Sequence, residues 1–228
     1  LLLILLCLPM IGFGQLTIIP DPNFEQALIY LGYDTGTPNG SVPTPNIDTV
    51  TFLLIGAPMP TVSDLTGIED FTALEELACN SQQLTFLDLS ANTGLIVLNC
   101  SENQLTSLDL SNNTVLRTLW CNENQLTSLD LRNGNNINMI QFSTTSNPNL
   151  TCINVDDSTW STVNWAGSPF FFASQNYFSA NCPPTSIQEH TKNRELLKLT
   201  DLLGRETKQT NQLLFYIYDD GTVEKRIV

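Results

Sequence analysis

Leu116-Arg117-Thr118-Leu119-Trp120-Cys121-Asn122-Glu123-Asn124-Gln125-Leu126-Thr127-Ser128-Leu129-Asp130-Leu131 is the third pass of one pattern. Its first half repeats Leu74-Glu75-Glu76-Leu77-Ala78-Cys79 and Leu95-Ile96-Val97-Leu98-Asn99-Cys100. Its second half repeats Leu84-Thr85-Phe86-Leu87-Asp88-Leu89 and Leu105-Thr106-Ser107-Leu108-Asp109-Leu110, always at an interval of 21 residues. A fixed interval of this size is the mark of a solenoid, in which one coil cannot cover its own apolar side chains and neighbours stack to share a core. Both halves read L-x-x-L-x-apolar, so a short strand is expected on each of two faces of the coil. A fourth coil is expected at Ile137, Ile140 and Phe142, then Leu150, Ile153 and Val155, with three extra residues before Leu150.

Asn92 and Asn113 end one half, and Asn103 and Asn124 end the other, with Gln82 and Gly134 standing where the pattern would place Asn. Asparagine suits such corners because it bonds nearby backbone and tolerates left-handed geometry. The pattern L-x-x-L-x-C/L-x-x-N resembles that of leucine-rich repeats across roughly residues 50 to 157. Asp64-Leu65-Thr66-Gly67-Ile68-Glu69 resembles the opening turn of internalin-like repeats.

Charge divides the chain. Of its 23 acidic and 9 basic residues, only Arg117 and Arg132 are basic before residue 186, against 16 acidic ones, while residues 186–228 are balanced at seven of each. An acidic main body argues against nucleic acid, which needs a basic stripe, and against anionic lipid. Protein, glycan and divalent-cation partners stay open.

Residues 1–14 read as a secretory signal peptide: Leu1 to Leu8 is almost wholly apolar, and Gly12-Phe13-Gly14 offers a small-residue cleavage site. The apolar run is too short to span a bilayer, so no stable transmembrane anchor is expected. With no Met ahead of it, the first residues of the leader are expected to be missing. Residues 15–50 form an N-terminal cap, with a helix opened by Asp21-Pro22 and stopped by Gly32. Coils occupy 51–157. Trp160, Trp165, Phe170, Phe171, Phe172, Tyr177 and Phe178 crowd residues 158–183, as a core plugging the far end would. A linker at 184–193 begins with Pro183-Pro184.

In residues 194–228, alternating strands surround Asp201-Leu202-Leu203-Gly204-Arg205 and Tyr216-Ile217-Tyr218-Asp219-Asp220-Gly221. This closely resembles the type A C-terminal sorting domain of Bacteroidetes type IX secretion substrates. The resemblance implies export through periplasm and outer membrane by the type IX secretion machinery, then removal of the tail. The fold implied is mainly β: a solenoid with a short helical N-terminal cap, an aromatic C-terminal cap and a small β-sandwich-like sorting domain.

Chemistry is scarce. His190, the only histidine, lies in the linker, which excludes a Ser-His-Asp triad from the main body. Cys79, Cys100 and Cys121 share one inward position, and a ladder of thiols does not converge on a metal as four zinc ligands must. No catalytic residue, cofactor or metal is expected. Cys152 and Cys182 flank the aromatic stretch, and an exported chain permits a disulfide between them. Asp88, Asp109 and Asp130 form an outward column that could hold Ca²⁺, although the Gly-rich turns of calcium repeats are absent and a solvated edge is favoured. Trp120 is read as outward-facing, in a column with Ala78, Asn99 and Gln141, where indole could stack on a sugar or anchor a protein. The expected function is an exported, monomeric, non-enzymatic recognition or adhesion module. The alternatives are the non-catalytic part of an exported hydrolase, or a structural surface protein.

Overall fold

The computed structural model describes residues 15–56 and 58–183, together with three strands at 196–200, 213–218 and 223–227. The expected leader (1–14), the linker (184–193) and the motif residues Asp201, Gly204, Arg205, Asp219, Asp220 and Gly221 lie outside the described residues. The chain divides into two compact units, Leu1–Pro183 and Pro184–Val228.

The first unit begins with β1 (Leu16–Ile18), α1 (Pro22–Leu31) and β2 (Ser41–Pro43), with β1 and β2 antiparallel. Asp21 caps α1 by accepting the Asn23 amide, and Gly32 ends the helix at φ 84°. Left-handed geometry there favours glycine, which has no Cβ to clash. Asp21 also accepts the Ser63 and Asp64 amides at 2.7 and 3.0 Å, so one carboxylate both starts the helix and ties it to the coils. Burial raises the pKa of this carboxyl, but the amide bonds from Ser63 and Asn23, the Ser63 hydroxyl and the Asp64 amide outweigh it and hold the group below its ordinary value. Gly67 packs close against the cap: at φ 102° a Cβ would lie 2.8 Å from the Ile18 carbonyl.

The coils then lay down β3 (Phe52–Leu54), β4 (Glu76–Ala78), β5 (Val97–Asn99), β6 (Ser107–Asp109), β7 (Thr118–Trp120), β8 (Ser128–Asp130), β9 (Gln141–Ser143) and β10 (Cys152–Asn154). After α2 (Ser158–Asn164), β11 (Phe170–Phe171) and β12 (Tyr177–Ser179) complete the unit. All pairings among these strands are parallel. The first sheet runs β11-β9-β7-β5-β4-β3, and the second runs β12-β10-β8-β6. The later coils fold as the sequence pattern asks, with one strand per face, whereas the coil of Leu77 has its strand on the first face alone and residues 84–89 form none. Leu53, Leu77, Leu98, Leu119 and Phe142 are matched in register along the first sheet and all are buried. Each fully buried leucine contributes about 1.5–3 kcal/mol.

Asparagines close the coils from inside. Asn124 accepts the Leu105 amide and donates to the carbonyls of Cys100 and Cys121; Asn103 does the same for Leu84, Cys79 and Cys100. Gln82 takes over part of this work by accepting the Val62 amide at 2.8 Å. The left-handed geometry expected of the corner Asn falls instead on the residue before it: Ser81, Glu102, Glu123 and Ser146 have φ between 54° and 58°.

The fourth coil departs from the 21-residue interval earlier than the sequence suggests. Phe142, not Ile140, pairs with Leu119; Met139 and Thr144 fill the flanking inner positions, while Ile137 and Ile140 are 66% and 58% exposed. The corner belongs to Asn136, whose amide donates to Leu131 while the Met139 amide returns to its carbonyl. Two of the extra residues thus lie between Leu131 and Asn136, where Gly134 is an addition and not the replacement of an Asn; the third follows Asn147.

Trp165 is fully buried at the far end, with ring centroids 5.3 Å from Phe142, 5.9 Å from Phe170 and 5.3 Å from Phe178. The aromatic stretch thereby covers the last coil, and β11 and β12 each add a strand to a sheet. Cys152 and Cys182 form a disulfide, 30 residues apart, that fastens the end of this segment to β10.

In the second unit β13 (Leu196–Thr200), β14 (Leu213–Tyr218) and β15 (Val223–Ile227) form one antiparallel sheet in the order β13-β14-β15. A sandwich-like arrangement was the expectation; among the described residues the unit is a single layer. Tyr216 and Tyr218 lie on β14.

Candidate functional site

Strand alternation decides what the first sheet shows to solvent. Leu77, Leu98 and Leu119 point inward, so their neighbours on each strand point out. One outward column is Leu54, Ala78, Asn99, Trp120, Ser143 and Phe171; the other is Phe52, Glu76, Val97, Thr118 and Gln141. Gln141 therefore belongs beside Thr118, and the column expected to join it to Trp120 is corrected. The two-residue insertion before Asn136 shifts the fourth strand and brings Ser143 next to Trp120.

This face mixes exposed apolar side chains with Glu76, Asn99 and Gln141, while Thr118 and Ser143 are buried. Phe52 is 51% exposed, Leu54 45% and Phe171 52%, and Trp120 is half-buried among them. Ile140 adds a further exposed side chain just before β9. From sequence, Trp120 is expected to face out and Phe171 to belong to the cap core. The signal that would have found it is the parity of the strand: Phe170 packs inward on Trp165, so Phe171 must face out. Asn99 is less available than expected. Its carbonyl accepts the Ser101 hydroxyl at 2.7 Å and the Ser101 amide at 3.2 Å, and its amide turns toward Asn80.

The second sheet presents hydroxyls and acids. Asp109 and Asp130 are strand neighbours in register, followed by Asn154, whereas Asp88 lies in a segment that forms no strand. Each of the three carboxylates accepts the amide two residues on, from Ser90, Ser111 and Arg132 respectively. The Ser90 amide and hydroxyl hold Asp88 below its ordinary pKa. Burial raises that of Asp130, and Arg132, through its guanidinium, amide and charge, more than reverses it. Arg132 also donates to the Ala180 carbonyl at 3.2 Å, joining β8 to the end of the cap. These acids are turn-forming groups, and the arrangement gives each a structural partner.

A cavity of about 280 Å³ lies near the start of the second face, lined by residues including Leu65, Ile68, Glu69, Phe86 and Asp88. Cys79, Cys100 and Cys121 are fully buried, and burial pushes the Cys79 thiol up to about 12. Cys100 is raised as well, through burial and then the neighbouring Cys121 and Cys79. Burial thus keeps these groups as thiols at neutral pH. Among the described residues no helix is long and apolar enough to cross a membrane.

No protein-family model matches the chain, and no curated protein matches it. Solved structures similar to part of it include the functional domain of InlJ from Listeria monocytogenes, described as including a cysteine ladder. That match has 24% identity and a TM-score of 0.46, over 62% of this chain and 38% of that one. An internalin, InlF, from Listeria monocytogenes strain 4b F2365 matches with 24% identity and a TM-score of 0.47, over 60% of this chain and 44% of that one. The match thus spans less than half the length of either internalin chain.

Proposed function

We propose that the first unit is a non-enzymatic recognition or adhesion module that docks its ligand on the outward face of the six-stranded sheet. The observation that carries this is the placing of Trp120, Phe171, Leu54 and Phe52 on one face, while the other face shows mostly hydroxyls and carboxylates, with Phe86 and Tyr177 exposed at its two ends. Asn99 and Ser143 flank Trp120 in its column, with Leu54 and Phe171 at the column's ends, and a partly buried indole on an exposed face is a common binding hot spot. The sequence supports secretion or surface display: an apolar leader, then Asp201-x-x-Gly204-Arg205 and Tyr216-x-Tyr218-Asp219-Asp220-Gly221, resembling a type IX export tail. The partners are then the type IX machinery during export and a protein or glycan ligand afterwards, with no nucleic acid.

The test is retention of the full chain on arrayed surface proteins and glycans. Trp120→Ala should weaken the retained ligand about 30-fold, a hot-spot loss near 2 kcal/mol, and Asp109→Asn should leave it unchanged. Equal binding by the Trp120→Ala variant, or turnover of peptide or glycoside substrates, would overturn the reading.

A further inference from the structure

We infer that the occupant of the Trp120 face is a basic polypeptide segment carrying aliphatic side chains in extended conformation. This rests on the docking face proposed above and adds the chemistry of the partner.

Three features converge. The first is charge: residues 15–183 carry 16 acidic and two basic residues, and Arg132 is paired with Asp130. Glu76 stands on the face itself, Glu75 just before β4, and Glu102 and Glu123 at the corners that follow β5 and β7. Among the described residues Arg117 is the basic residue beside it. Field lines from such a border attract cations and repel acidic polymers, including acidic glycans. The second is the kind of apolar surface. Phe52, Leu54, Ile140 and Phe171 spread over the whole sheet, which suits a row of aliphatic side chains better than one sugar ring. The third is that the amide beside Trp120 is already engaged, which leaves Gln141, in the neighbouring column, as the exposed amide of the face. Sugar recognition needs fixed polar groups around the aromatic platform, and Asn99 is held by Ser101 and Asn80.

Size follows from geometry. Six strands about 4.8 Å apart span roughly 24 Å, which an extended chain covers in about eight residues. An alternating segment would set aliphatic side chains on the Trp120 column and leave lysine or arginine to reach Glu76, Glu102 and Glu123.

Fluorescence anisotropy with the full chain and three labelled peptides of about eight residues tests this: alternating Lys-Leu, Glu-Leu and Lys-Ser. The Lys-Leu peptide should bind at least about tenfold more tightly than either of the others, and its affinity should fall as salt rises. Glu102→Gln with Glu123→Gln should weaken it several-fold, as should Trp120→Ala. The control is Asp88→Asn with Asp109→Asn, which removes the same charge from the other sheet and should change affinity little. Equal weakening by that control would mean attraction by net charge alone and overturn the inference. Glu-Leu binding as tightly as Lys-Leu, with Trp120 dependence kept, would overturn the basic partner while leaving the docking face standing. Absence of Trp120 dependence for all three peptides would overturn both.

Discussion

Leu105 donates its backbone N–H to the side-chain carbonyl of Asn124 at 3.0 Å, across 19 residues of sequence and into the following coil. The Asn124 amide donates in turn to the carbonyls of Cys100 and Cys121. Asn113 does less: its side-chain amide donates to the carbonyls of Leu89 and Asn92, and its side-chain Oδ1 is buried without a partner. Asn124→Ala should cost about 3 kcal/mol, and Asn113→Ala about 1 kcal/mol, because only the first orphans both a donor and acceptors. Urea unfolding of the two variants measures the difference; equal losses would contradict it.

The disulfide holds residues 152 and 182 across a 30-residue separation. Chain-entropy reasoning gives such a closure about 3–4 kcal/mol. Cys152→Ala with Cys182→Ala should lower stability by that order. Limited proteolysis should then start near the aromatic cap, where β11 and β12 are the terminal strands.

Cys79, Cys100 and Cys121 are free and fully buried. With Cys79 pushed up to about 12 and the other two also raised, thiolate is scarce at pH 8. A thiol reagent at pH 8 should leave all three unmodified in the native chain and react with all three once denaturant unfolds the coils. Rapid labelling of the native chain would contradict the burial.

Asp21 titrates below its ordinary value in the folded chain. A depressed carboxyl stabilises the fold above the ordinary carboxylate range, and that contribution disappears as pH falls through the folded value. Asp21→Asn should therefore be less stable than the parent at pH 7 and should lose less stability on acidification. Circular dichroism melts between pH 7 and pH 2 give the comparison.

The three near-identical coils were legible because Leu74, Leu95 and Leu116, and everything aligned with them, recur without a gap. The fourth was misread because Ile137 and Ile140 look like apolar replacements for Leu116 and Leu119. The insertion hides among Asn133, Gly134, Asn135 and Asn136, any of which could pass for the corner. Thr144, buried in the position of Cys121, gave no apolar signal; its hydroxyl reaches Asn176, on the turn before β12, at 3.3 Å. The Trp120 site was half legible for the same reason. A residue's column depends on the register of its neighbours, so an error of two positions replaced Ser143 with Gln141. Phe171 needed the direction of a two-residue strand, which composition alone does not carry.

The inner contacts of the coil containing Leu98 are interchangeable, since Leu98 meets Leu77 on one side and Leu119 on the other, with Cys79 and Cys121 at the positions matching Cys100. A gene duplication or loss of one 21-residue segment would thus change the breadth of the exposed surface by one rib, about 4.8 Å, without repacking either end. Recombination can resize this molecule in whole steps, and the irregular fourth coil sets where such exchange must stop.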